Sequence, residues 1–134
     1  MKLLSVNQMQ KLKELGIDTS KASIRVGQMI FTQSDPWYGK EEHDVYLFDH
    51  EDNDTNCFVE EYRTFTSHDI IELLPREVTD YVDYQLLIDK QRDSYSVSYE
   101  NTNFFLVSFC RVELLDCLYE MLLWVIDNDY LEKK

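Results

Sequence analysis

Along the last quarter of the chain, apolar residues recur at intervals of three and four. Leu114, Leu115, Leu118, Met121, Leu122 and Val125 fall on one side of a helix, with Glu113, Asp116, Glu120 and Asp127 between them. The spacing predicts a long amphipathic helix over 112–126. A helix with one apolar face needs a surface to bury it against, and the preceding segment supplies one. Tyr84, Leu86 and Ile88 alternate with Gln85, Leu87 and Asp89. After the polar turn 90–93, Tyr95, Val97 and Tyr99 alternate with Ser94, Ser96 and Ser98. That is an antiparallel hairpin with a single apolar face. Residues 100–103 read as a second turn. Residues 104–109, apolar on both sides, read as a third strand covered by a helix.

The earlier half is less regular. Ser5 and Gln8 form a capping-box pattern, and Val6, Met9, Leu12 and Leu15 follow at helical spacing up to Gly16. Helix 6–15 is expected. A strand over 24–31 is weakened by Gly27, and 32–43 is a loop around Asp35-Pro36 and Gly39. The apolar runs 44–48 and 57–62, separated by polar residues, suggest a hairpin. Thr66 is a suitable N-cap, Phe65 can staple onto Ile70, and Pro75 ends a short helix over 67–74. The fold class is therefore α+β in two layers. An antiparallel meander of three or more strands lies against a long C-terminal helix, with an N-terminal helix and a short middle helix. With 134 residues, a single domain over 1–134 is expected.

Composition adds charge. The net charge is −13, and residues 1–30 are on balance basic, so the negative charge lies in the remainder. Direct nucleic-acid binding, which needs an excess of Lys and Arg on one face, is not expected. A basic protein partner suits the charge better. Cys57, Cys110 and Cys117 are too few and too scattered for a disulfide framework or a zinc site, and buried reduced thiols are expected. No secretory apolar core follows Met1, and Arg111, Glu113, Asp116 and Glu120 break the apolar C-terminal stretch. A cytoplasmic protein without a membrane span follows as the expectation.

The segment 35–61 concentrates acid: Asp35, Glu41, Glu42, Asp44, Asp49, Glu51, Asp52, Asp54, Glu60 and Glu61 against Lys40. A calcium loop started at Asp49 has Asp54 where a sharp turn wants Gly. One started at Asp52 has Cys57 there and Arg63 in place of the last ligand. His43, His50 and Cys57 lie seven apart with nothing to bring them together. No P-loop, G-x-S-x-G, H-E-x-x-H or dinucleotide fingerprint occurs. No catalytic residue, metal ligand or cofactor is expected. Tyr84, Tyr95 and Tyr99 are assigned to the core. Trp37 and Tyr38, in a Pro/Gly loop, have the character of binding anchors. Together with Glu41, Glu42, Asp49, Glu51, Asp52 and Asp54 they form the expected interaction surface.

Four stretches occur in a characteristic order: Gly16-Ile17-Asp18-Thr19-Ser20-Lys21-Ala22-Ser23, then Thr66 through Pro75, then Tyr95-Ser96-Val97-Ser98-Tyr99, then Tyr119-Glu120-Met121-Leu122-Leu123-Trp124 leading to Tyr130-Leu131. This arrangement resembles small proteins of phages, prophages and mobile elements of gut Bacteroides-like bacteria. That group has no assigned activity, so the resemblance implies a setting and no site residues. Its members often carry Ala-Ala before Tyr-Glu-Met-Leu. Cys117-Leu118 stands there in this chain, a bulkier pair that works against close helix–sheet contact. The functional expectation is a non-enzymatic accessory or interaction protein. The alternatives are an acidic nucleic-acid mimic that occupies a basic partner and, third, a small enzyme or metal-binding protein.

Overall fold

The computed structural model describes residues 2–20, 22–29, 44–48 and 58–131. Its elements run α1 (Val6–Glu14), β1 (Ile24–Met29), β2 (Asp44–Phe48), β3 (Phe58–Thr64), α2 (Ser67–Leu73), β4 (Glu77–Asp80), β5 (Val82–Lys90), β6 (Tyr95–Glu100), β7 (Phe105–Arg111) and α3 (Leu114–Asp127). The fold is α+β, with two antiparallel sheets. Two compact units are distinguished: Leu3–Thr66, and Ser67–Lys134 with the first two residues.

In the first unit α1 begins on the predicted capping box: Ser5 Oγ accepts from the Gln8 backbone N–H at 3.1 Å, and Gln8 Oε1 accepts from the Ser5 N–H at 2.9 Å. It ends where expected. Gly16 takes φ +99°, and Ile17 N–H returns to Leu12 O at 3.0 Å, which satisfies a terminal carbonyl. Met9 and Leu12 on this helix are buried, as are Leu4, Ile17, Ala22, Ile24 and Val26. Fully buried Thr64 donates its hydroxyl to Leu4 O at 3.0 Å, so its burial leaves no polar atom unmet. The sheet corrects one expectation. Segments 44–48 and 58–64 do not pair with each other; both pair with β1, in the order β2-β1-β3. Chain proximity favoured a hairpin, but β1 carries the buried Ile24 and Val26 and takes the centre, where both rows of its backbone groups are satisfied. Gly27 stays within the strand, and the β1–β3 register shifts between Val26 and Gly27.

The second unit is the meander, in the order β4-β5-β6-β7, with α3 against β6, β7 and α2. Its inner face buries Val78, Tyr84, Val97 and Tyr99, and α3 buries Leu115, Cys117, Leu118, Met121, Leu122 and Val125. The bulkier Cys117-Leu118 pair is accommodated, since neither residue has any exposed surface. Tyr99 donates its hydroxyl to Pro75 O at 2.6 Å and stacks on Trp124 at 6.2 Å. The helix ends in a Schellman motif without glycine. Asp129 takes φ +61°, Tyr130 N–H reaches Val125 O at 2.9 Å, and Tyr130 stacks on Trp124 at 5.4 Å. β4 adds a fourth strand that its single apolar residue, Val78, did not announce. β7 is covered by a helix, α3, as expected, while Ser108 and Cys110 are exposed.

Candidate interaction surface

The expected surface residues Trp37, Tyr38, Glu41, Glu42, Asp49, Glu51, Asp52 and Asp54 lie outside the described residues, as do His43, His50 and Cys57. The remaining candidates for chemistry are His68, Cys110 and Cys117. His68 is exposed on α2, 3.8 Å from Glu72. Cys117 is buried and donates to Tyr95 O at 3.2 Å, and desolvation pushes its thiol above the ordinary value. A thiol held in that form is a poor nucleophile. Cys110 is exposed, with Ser94 Oγ at 3.4 Å and Gln91 Oε1 at 3.6 Å; neither is a base able to activate it. Among the described residues no group of His, Cys, Asp and Glu is placed to hold a metal ion. No helix among them is long and apolar enough to cross a membrane.

What the fold does assemble is an aromatic rim at one end of the meander. β4 turns into β5 with Asp80 paired directly to Val82, so Tyr81 alone carries the reversal, at φ +66°. A β-branched or bulky residue is an outlier in that left-handed region. Its side chain is fully in solvent, at 102% exposure, and Val82 is 48% exposed. β6 turns into β7 around Asn101. Its Oδ1 accepts from the N–H groups of Asn103 and Phe104, both at 2.9 Å, and its own N–H donates to Phe104 O at 2.9 Å. This Asx-type turn holds the backbone of Phe104 and sets Phe104 and Phe105 at 65% and 71% exposure. Asn101 Nδ2 also donates to Asp83 O at 3.4 Å, which ties the two turns together.

Between β5 and the turn after β6 lies a cleft of about 370 Å³, lined by residues that include Asp83, Gln85, Leu87, Glu100, Asn101 and Thr102. Its carboxylates are held in place: Thr79 Oγ1 donates to Asp83 at 2.7 Å, and Ser98 Oγ to Glu100 at 2.9 Å. The rim thus combines apolar side chains with fixed negative charge. Such an arrangement can seat an apolar patch bordered by cationic side chains. A second cleft, of about 470 Å³, lies between α1 and β3 in the first unit and includes Met9, Lys13, Asp18, Tyr62 and Arg63. Two of its charged groups serve their own chain: Arg63 pairs with Glu60 at 3.0 Å and donates to Ala22 O, and Asp18 accepts from Ser20.

Sequence reasoning did not find the rim. Phe104 and Phe105 read as a covered strand, and Tyr81 and Val82 belonged to no predicted element. The available signal was the Asn101-Thr102-Asn103 turn immediately before two phenylalanines. Compared with known proteins, the chain matches no family model, no curated protein and no solved structure.

Proposed function

We propose that this chain is a non-enzymatic interaction protein that docks on a partner protein through the turn end of its meander. The partner surface would be apolar and bordered by Lys or Arg. The observation that carries this reading is the convergence of exposed Tyr81, Val82, Phe104 and Phe105 on two tied turns. Large apolar side chains grouped on a surface mark contact sites more often than scattered ones do. Tyr81 sharpens the point, because its strained backbone and full exposure contribute nothing to the core, and such strain gathers at functional positions. The flanking Asp80, Asp83 and Glu100, within a chain of net charge −13, favour a cationic border on the partner. The setting we infer, a phage or mobile element acting inside a bacterial cell, rests on the resemblance in helix starts and core positions alone.

The test is retention of bacterial proteins on the immobilised chain and on a Tyr81→Asn/Phe104→Ser/Phe105→Ser variant, at low and high salt, with mass spectrometry of what is held. Asn suits the left-handed position. We expect a defined protein held by the parent at both salts and lost by the variant. Identical sets on parent and variant would remove the rim from consideration. A set unaffected by the variant but released by salt would favour the acidic-mimic reading, since screened charge would then be the only attraction.

A further inference from the structure

The cleft between α1 and β3 holds groups that the fold itself does not use. Val6, Met9, Gln10 and Lys13 recur at intervals of three and four, so one face of α1 forms a wall of the cleft. Ile17 and Tyr62 complete its apolar part. Met9 and Ile17 are buried, whereas Val6, in the same wall, is 55% exposed.

The facing strand is irregular at this point. Tyr62 pairs with Val26 and Glu60 with Gly27, which leaves Glu61 as an extra residue without a partner on β1. A bulge of this kind re-aims side chains and is frequent beside active sites. A regular strand sends neighbours to opposite faces, yet Glu61, Tyr62 and Arg63 all line this cleft.

Four charged side chains line it: Lys13, Asp18, Glu61 and Arg63. Asp18 and Arg63 are engaged within the chain. The side chains of Lys13 and Glu61 have no ion-pair or hydrogen-bond partner among the described residues, and they do not pair with each other. The cleft therefore offers one available cation and one available anion beside an apolar wall. Its volume of about 470 Å³ lies within the range of small-molecule sites, about 300–1,000 Å³.

We propose that this cleft binds a small zwitterion with an apolar body, of the class of the large apolar α-amino acids. Lys13 would hold its carboxylate and Glu61 its ammonium group. A simple anion on Lys13 would bring a like charge to Glu61, and a simple cation on Glu61 would bring one to Lys13. A zwitterion gives both side chains a charge-assisted hydrogen bond. Its apolar side chain would lie along Met9 and Ile17 and cover Val6, which folding leaves in water. A polyanion is disfavoured by the net charge of −13. All the residues involved belong to the first unit, so the site stands whether or not the aromatic rim binds a partner.

The test is equilibrium dialysis of the whole chain against L-phenylalanine and L-leucine, from micromolar to millimolar concentration. Saturable uptake of at least one is expected, and L-alanine, which lacks the apolar body, should bind about tenfold or more weakly. N-acetylation or amidation of the ligand that binds, which removes one charge each, should weaken it by a similar factor. Lys13→Gln should abolish the preference for the free carboxylate over the amide, and Glu61→Gln the preference for the free amine over the N-acetyl form. Both side chains are exposed, and far-UV circular dichroism reports whether each variant is folded. The modified ligands test each charge on the parent chain, without mutation. Absence of saturable uptake of both amino acids overturns the proposal. So does uptake indifferent to acetylation or amidation, uptake equal for alanine, or a folded variant of either residue that keeps the parent's preferences.

Discussion

The inner face of the meander and its turn end are made of the same kinds of residue and have opposite fates. On the inner face Val97 and Tyr99 have no exposed surface, and Leu118, Met121, Leu122 and Val125 of α3 lie equally dry. At the turn end Tyr81, Val82, Phe104 and Phe105 stand in water. Hydrophobicity is shared; what differs is the cover. α3 packs on β6 and β7, while the residues at and beside the two turns are left exposed. Burial drives folding through the apolar area removed from water. Area left out does not contribute to folding and is free to contribute to association. The contrast predicts that stability and binding separate along this boundary.

The largest effect should come from the dry side. Leu118→Ala is expected to destabilise by roughly 2–5 kcal/mol, the range for a buried leucine that leaves a cavity. Denaturant unfolding checks it. A loss below about 1 kcal/mol would mean that the site collapses freely or is not packed as described.

Next is Tyr99→Phe, which leaves Pro75 O without its 2.6 Å donor and should cost about 1–3 kcal/mol. It should also change the alkaline limb of stability. Burial raises the Tyr99 phenol well above its ordinary 10.0, and desolvation raises Tyr119 and Cys117 in the same direction. For a group raised in the folded state, stability is whole below the unfolded value and is lost as pH climbs toward the folded one. Unfolding free energy should therefore decline above about pH 9, the ordinary range of a thiol, and more steeply above pH 10. Tyr99→Phe should flatten the steeper part. An unchanged slope would assign the alkaline loss to other groups.

How far the sequence foretold this division varies by element. α1 was legible to within a residue because its start and stop are local chemistry: Ser5 with Gln8, and a left-handed Gly16. The stop of α3 uses the same Schellman bonds with Asp129 in the glycine position, and no local rule points to aspartate there. β6 and α3 were legible because a buried face imposes a period, and β5 because Tyr84, Leu86 and Ile88 alternate with mostly polar neighbours, although only Tyr84 of the three is buried. β4 was not, since an edge strand with one buried residue, Val78, has no period to show. The order β2-β1-β3 depends on pairing partners, and the sequence fixes no partner. The aromatic rim was hidden for a related reason. Phe104 and Phe105 continue the apolar run of β7, and only the Asx turn at Asn101 decides that they fall outside the cover of α3.

The smallest effects on stability should come from the wet side. Phe104→Ser and Phe105→Ser are each expected to change unfolding free energy by no more than about 0.5 kcal/mol, although each removes a large apolar group. A loss comparable with that of Leu118→Ala would show the rim to be part of the core and erase the contrast. The thiols offer a finer version without mutation. In the native chain a disulfide reagent should modify exposed Cys110 quickly and buried Cys117 only on unfolding. Equal rates would mean that α3 lifts readily from the sheet.

The most direct measurement places a photo-reactive benzoylphenylalanine at Phe104 and, in a separate chain, at His68, an equally wet position on α2. Both are irradiated in bacterial extract. The account predicts a discrete adduct with another protein from position 104 and none from position 68. Adducts of the same protein in equal yield from both positions, or none from 104 while the parent chain still retains its partner, would contradict it.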